Sequence, residues 1–450
     1  MAKKLLAILA ALCLVAAMGS VGASAVIEYD PDTERTVLYT NDIGFHILAI
    51  PDAHQTTTED ANLVAYITAA IKYMADQNTP LDLIIFLGDA VTGSANADLA
   101  AVATAASRLV APIRAAGIPY TVVLGNEDCG ALSRKAVMDV WRDAGDWLEL
   151  SYGVEVPADP PTDPPSTTTE IRTESVRLFA EPDAVYGDTN FMYNIKKKFY
   201  TDNVWGRETS DSFDKNGKAN KVSKIVPFAR LFLFDIGSKN AGQSGAPYVR
   251  ADQLAWFTAN NTDTLPTFVF QHIPLPEVYN CDYFLATPFN WALPGSTNIV
   301  GTYFWNMANY IHMTGTVLEA EKTPHFSDKE FEALTAKGNV KAAFFGNNHK
   351  NNFVEPLDKI DLVQLPGAAW NGGSGTYLVR GASFVSLRPN AAGNDVTYGN
   401  DFFTYRQASR VGGFSGLTVD KGLIKDTIQI VPFLLQNLLI GLLSPLRWIF

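Results

Sequence analysis

Residues 82–93 read DLIIFLGDAVTG. The short apolar run Asp82 to Leu87, bounded by polar residues, is the pattern of a strand buried on both faces. Gly88-Asp89 follows it directly. Working outward, the same arrangement appears on either side. Phe45 to Ile50 runs into Pro51-Asp52-Ala53-His54, and Tyr120 to Leu124 runs into Gly125-Asn126-Glu127-Asp128. Asp52, Asp89 and Asn126 recur at about 37 residues, close to one βαβ unit. Between these runs, Glu59 to Ala75, Asn96 to Ala116 and Ser133 to Leu148 carry apolar residues at helical spacing. Strand, helix and strand in this rhythm predict right-handed crossovers and a largely parallel sheet.

Parallel strands deliver their carboxyl ends to one edge, where α/β sheets build ligand sites. Asp52, His54, Asp89 and Asn126 are therefore expected to converge. Farther on, His272 follows the strand-like Thr267 to Phe270, and His349 follows Lys341 to Phe345 through Gly346-Asn347-Asn348. Three of the six histidines thus stand at strand ends. Taken singly, each residue has an ordinary reading: Asp52 and Asp89 as helix caps, Asn126 in a turn, His272 and His349 as hydrogen-bonded loop residues. Taken as an ordered set, mixed carboxylate, imidazole and amide donors are what two divalent cations need.

The chain has 450 residues, 47% of them hydrophobic, enough for one large α/β domain with insertions. Its net charge of −12 argues against a broad nucleic-acid-binding surface. Lys3 and Lys4, the apolar stretch Leu5 to Ala17 and Ala23-Ser24-Ala25 read as a signal peptide over residues 1–25, with a membrane anchor as the alternative. Cleavage there removes Cys13 and leaves Cys129 and Cys281 in an oxidising compartment, where a disulfide is expected. Asn260-Asn261-Thr262 is a glycosylation sequon.

The main domain is expected over 26–410, with a Pro/Thr-rich surface insertion at about 154–176. Strand-like runs resume with FMYNI and ARLFLFDI, a helix is expected around Asp252 to Ala259, and Ile360 to Leu365 is a further strand. The apolar tail 411–450 is interrupted by Gln429, Pro432, Gln436 and Asn437 and does not read as a straight spanning helix. Its leucine stripe could dock on the domain, lie in a membrane interface, or form a removable lipid-anchor signal.

On these motifs the sequence resembles the calcineurin-like metallophosphoesterase superfamily, in its fungal and plant branch labelled purple-acid-phosphatase-like. The resemblance runs from about Phe45 to Leu387 and includes the HIPLPE, ADQLAWF and GTYLVRGASFVSL segments. It implies an α/β fold, a four-layer αββα metallophosphoesterase sandwich, with two metal ions at the carboxyl edge. Asp52, His54 and His349 would hold the first ion, Asp89 would bridge, and Asn126 and His272 would hold the second. Thr92 stands where true purple acid phosphatases have the tyrosine that colours their iron, so Mn, Zn or Fe(II) is expected instead.

Two positions depart from the family pattern. Glu127 replaces the histidine that contacts the substrate phosphate, and Asn347 replaces a histidine on the second metal. An amide is the weaker ligand for zinc-like ions, so the second site is expected to be the looser one. Three functions follow. The first is phosphomonoester hydrolysis by a metal-bound hydroxide, with Asp89, Asn126 and Glu127 at the reacting centre and a phosphate ester as substrate. The second is a secreted or surface-held pseudophosphatase with an incomplete second metal site that acts by binding a partner. The third is a phosphodiesterase on lipids or nucleotides, if the tail gives membrane contact.

Overall fold

The structure, a computed structural model, describes residues 26–30, 35–40, 44–57, 61–92, 97–145, 149–157, 167–175, 185–209, 215–216, 218, 220–237, 246–280, 314–316, 323–324, 328–370, 379–389 and 395–411. The expected signal peptide, Cys281 and the tail beyond Val411 lie outside these residues.

The described strands, in chain order, are β1 (Val26–Asp30), β2 (Arg35–Thr40), β3 (Phe45–Ile50), β4 (Leu83–Leu87), β5 (Tyr120–Val123), β6 (Glu149–Pro157), β7 (Thr167–Ser175), β8 (Phe191–Thr201) and β9 (Glu208–Thr209). They continue with β10 (Lys221–Phe234), β11 (Thr267–Gln271), β12 (Thr314–Thr316), β13 (Val340–Phe345), β14 (Asn352–Leu357), β15 (Ile360–Gln364), β16 (Gly381–Pro389) and β17 (Val396–Thr404). The helices are α1 (Ala61–Asp76), α2 (Leu99–Ala116), α3 (Arg134–Ala144), α4 (Ala251–Asn260), α5 (Glu330–Thr335) and α6 (Tyr405–Arg410).

Sheet one has the order β17-β16-β3-β4-β5, with β3, β4 and β5 parallel as their motifs predict. Sheet two has the order β1-β2-β8-β10-β11-β13-β15-β14-β12, with β9 on β8, and its centre β10, β11, β13 and β15 is parallel. Side chains alternate across a strand, so a strand apolar at every position must be covered twice. In sheet two, Leu231, Leu233, Phe268, Phe270, Ala342 and Phe344 join the core shared with sheet one and α1 to α3. The intervening Phe232, Phe234, Val269, Ala343 and Phe345 pack instead with Trp256 and Phe257 of α4 and Leu334 of α5.

Sheet one alternates in the same way. Phe86 and Tyr120 pack on Trp141 of α3, whereas Thr121 turns the other way and shares a 2.9 Å hydrogen bond with the Tyr193 hydroxyl of β8. The result is the expected four-layer αββα sandwich. The Pro/Thr-rich insertion differs from a plain loop: its flanks pair as the antiparallel hairpin β6–β7, a separate two-stranded sheet. Thr-rich β7 has β-branched residues suited to a strand, while the prolines fall mostly between the two.

Candidate metal centre

Strands β3, β4 and β5 of sheet one and β11 and β13 of sheet two end at one edge, and each releases a motif there. The loops after β3 and β4 stay hydrogen-bonded beyond the strands: Asp52 N–H donates to Gly88 O at 2.9 Å and His54 N–H to Asp89 O at 2.9 Å. Asp52, His54 and Asp89 adopt φ of 50°, 46° and 50°, and Asn347 a φ of 66°. Left-handed backbone in non-glycine residues costs about 1–3 kcal/mol each and gathers where a site over-determines the chain. Here it turns successive side chains inward.

Two groups of donor atoms result. Asp52, His54 and His349 form one, and Asp52, Asp89 and His272 the other, with all donors of a group within 4.8 Å of one another. His349 Nε2 is 3.2 Å from Asp52 Oδ1 and 3.1 Å from His54 Nε2, and His54 Nε2 is 3.9 Å from Asp52 Oδ1. His272 Nε2 is 3.2 Å from Asp89 Oδ2 and 4.0 Å from Asp52 Oδ1. Donors sharing one ion at about 2.1 Å stand roughly 3.0–3.4 Å apart; the 3.1 and 3.2 Å spacings meet this, and those at 3.9 and 4.0 Å would close slightly on an ion.

Asp52 Oδ1 is moreover a buried polar atom with no well-aligned hydrogen-bond partner among the described residues, while His272 Nε2 faces only Asp89 and Asp52. Burying such atoms unsatisfied is costly, and an ion is the partner this donor set suits. The resemblance implies Asp89 as the bridge. In the structure Asp52 is the residue common to both groups, and its Oδ1 faces His54, His349 and His272.

The charges are coupled. Burial alone would raise the Asp89 carboxyl, but the His272 imidazole beside it outweighs this and holds it below the usual range. Burial alone would lower His272, and Asp89 and Asp52 outweigh this and hold it raised. His54 is lowered, chiefly by burial. His272 Nδ1 lies 3.0 Å from Leu87 O, so it carries the proton there and leaves Nε2 as the ligand atom.

The profile of the calcineurin-like phosphoesterases matches residues 40–351, a span that includes every one of these residues. The chain belongs to the calcineurin-like phosphoesterase family. It is 23% identical over 350 residues to the Arabidopsis thaliana protein named "Probable inactive purple acid phosphatase 14", covering 75% of this chain and 74% of that one. It is 23% identical over 340 residues to the Arabidopsis protein named "Probable inactive purple acid phosphatase 28", covering 71% and 69%. Among solved structures it is similar to a dimetal phosphatase from Danio rerio, at 12% identity and a TM-score of 0.41, covering 77% of this chain and 94% of that one.

In this calcineurin-like phosphoesterase the motif glycines are required by close approach. A Cβ on Gly88 would overlap the His272 ring, and one on Gly125 would overlap Asp89 Oδ1. Gly88 also has a φ of +80°. Asn126 is half-buried, and its Nδ2 donates to Glu127 Oε1 at 3.0 Å. Glu127 itself is exposed and joins neither donor group, while its N–H donates to Asp89 Oδ1 at 2.7 Å. Asn347 N–H donates to Asp52 Oδ2 at 2.9 Å.

Three supporting residues escaped the sequence reading. Buried Asp128 accepts from the N–H groups of Asp89 at 2.8 Å, Val91 at 2.9 Å and Gly125 at 2.6 Å, locking two loops together. Arg134 pairs with buried Asp235 and donates to Gly125 O at 2.9 Å and Leu124 O at 3.1 Å. Gln364 Nε2 donates to Gly346 O at 2.8 Å behind the His349 loop. For Asp128 a signal existed: an Asp three residues after a loop glycine can close a turn onto that glycine's N–H.

Proposed function

We propose that the chain is a metal-dependent phosphoesterase that hydrolyses phosphomonoesters at a dinuclear site. One observation carries the reading: two donor groups assembled around a buried Asp52 oxygen that lacks a hydrogen-bond partner among the described residues. Asp52, His54 and His349 would hold one ion, and Asp89 and His272, with Asn126 and Asn347, the other. Mn, Zn or Fe(II) suits this mixed nitrogen and oxygen set. When bound, such ions activate water and neutralise charge on a transferring phosphoryl group.

The chain's own residues do the positioning. Leu87 O fixes the His272 tautomer, Asp128 holds the Asp89 loop to the Asn126 loop, and Glu127 turns the Asn126 amide. A second reading, a pseudophosphatase acting by binding, is favoured by Asn347 and by the exposed Glu127 carboxylate, engaged with Asn126. The names of the Arabidopsis relatives point the same way. The N-terminal pattern supports a secretory-pathway protein in either case. There buried Cys129, its thiol pushed up to about 12 chiefly by burial, would pair with Cys281.

Metal analysis of the purified protein, beside turnover of an aryl phosphate with added Mn, Zn or Fe(II), separates the readings. Two ions per chain with phosphate release support the enzyme. One ion or none, with no release at saturating metal, supports the pseudophosphatase.

A further inference from the structure

We propose that the arm formed by the outer halves of β8 and β10 is a docking surface for an anionic lipid membrane. The inner half of this hairpin belongs to the core: Phe191, Tyr193 and Ile195 are buried opposite Leu233, Leu231 and Ala229. The outer half does not. Arg230 is level with Thr267 at the start of β11, and Lys221 to Pro227, exposed or half-buried, run beyond that neighbour for roughly 20 Å at strand rise. On the other side β2 accompanies β8 only as far as Lys197.

Among the described residues the arm concentrates two properties, exposed apolar side chains and positive charge. Among the described residues five large apolar side chains are exposed, and four lie here: Trp205 at 69%, Val222 at 50%, Ile225 at 46% and Val204 at 37%. In a chain of net charge −12, residues 196–225 carry eight Lys and Arg against four Asp and Glu. Pairing sets Lys198 opposite Ile225 and Tyr200 opposite Val222, so one face mixes ammonium groups with exposed aliphatics. On the other face Lys197 and Lys224 flank the Phe199 ring at 5.2 and 4.6 Å. Trp205 and Val204 occupy the turn at the tip.

Each property is matched by a charged lipid surface. Lysines near anionic headgroups gain electrostatic attraction while their stems lie along apolar surface, and tryptophan with aliphatic side chains enters the headgroup boundary. A soluble polyanion would engage the lysines and leave Trp205, Val222 and Ile225 in water. The arm also leaves sheet two at the end opposite the donor groups, because β10 and β11 are parallel and His272 follows the far end of β11. Docking there keeps the metal edge open to solution.

The test uses the full chain and sedimentation with vesicles of phosphatidylcholine, alone or mixed with phosphatidylserine. Binding is expected to the mixed vesicles only and to weaken with salt. Lys196→Glu with Lys198→Glu, and separately Trp205→Ser with Ile225→Ser, should each reduce it at least tenfold, with thermal melting and metal content unchanged. Binding that survives both variant pairs would assign any membrane contact to the C-terminal tail and overturn the proposal. So would absence of vesicle binding together with self-association or heparin binding that these variants abolish.

Discussion

His54 Nε2 lies 3.1 Å from His349 Nε2 although 295 residues of chain separate them. With neutral rings, one Nε2–H can donate to the other ring's Nε2 lone pair at this distance, whereas two protonated rings repel. A cation between their lone pairs turns the contact into shared coordination. The closeness of these two rings supports metal only together with Asp52, which completes the group of three donors.

Asp89→Asn should abolish hydrolysis while leaving the fold intact. Asp89 lies beside His272 and accepts the Glu127 N–H, and no hydrophobic contact depends on its charge. Phosphate release should fall by more than about 100-fold, the upper range for losing even an outer-shell partner of a metal. Full activity in the variant would remove the proposed site.

Gly125→Ala tests the requirement for close approach. The added methyl overlaps Asp89 Oδ1 and the Asp89 backbone nitrogen, neither of which can retreat without leaving Asp128 and Glu127. A loss of about 1–3 kcal/mol in unfolding free energy, with reduced metal content, is expected from chemical denaturation. Unchanged stability and metal content would show that the loop has slack.

The two departures from the family pattern can be separated. If Asn347 limits, Asn347→His should tighten the second ion and raise turnover at low metal, an effect that excess metal mimics. Its φ of 66° lies in a region that histidine tolerates better than most residues. If Glu127 limits, Glu127→His should raise turnover at saturating metal. A double variant that binds two ions by calorimetry and hydrolyses nothing would favour the binding-protein reading.

Arg134→Met should destabilise the protein by about 3–5 kcal/mol, because it leaves the buried Asp235 carboxylate without its guanidinium partner. The Gly125 and Leu124 carbonyls lose their donor as well. Adding Asp235→Asn should recover part of the loss in a double-mutant cycle. Purely additive effects would show that the pair does not act as a unit.

Glu330, which belongs to neither donor group, gives a separate pH dependence. Burial, with the nearby Glu277 carboxylate, pushes its carboxyl up to about 8 from an ordinary 4.5, against a hydrogen bond from Gln271 that lowers it. Below pH 4.5 both folded and unfolded chains hold this proton. Between about 4.5 and 8 only the folded chain does, so its contribution to stability falls as pH rises and levels off above 8. Glu330→Gln should therefore gain melting temperature relative to the parent between pH 5 and 8, and a constant difference across that range would count against it.

The strands β3, β4 and β5 were legible because each is a continuous apolar run that ends in a polar motif. The donors Asp52, His54, Asp89, His272 and His349 were legible because they stand directly after such runs. The β6–β7 hairpin was not: Leu150, Tyr152, Val154 and Val156 alternate along β6, but threonine-rich β7 offers only Ile171 to match them, and the prolines between read as a loop. Strand β17 was hidden by Gly399 and Asn400 within an otherwise alternating VTYGNDFFT. Asp128, Arg134 and Gln364 act through backbone groups of other loops, a relation that appears only once the strands are side by side. The resemblance supplied Asp89 as the bridge, whereas the central place of Asp52 Oδ1 came from the fold.

Donors come from both sheets: Asp52, His54 and Asp89 from the first, His272 and His349 from the second. Neither sheet alone can complete a coordination shell, so ion binding acts on the docking of one sheet against the other. A growing chain acquires residue 272 well before residue 349. Asn347 of one proposed ion site and His349 of the other lie on the same loop, so both sites would become complete only when that segment has left the ribosome.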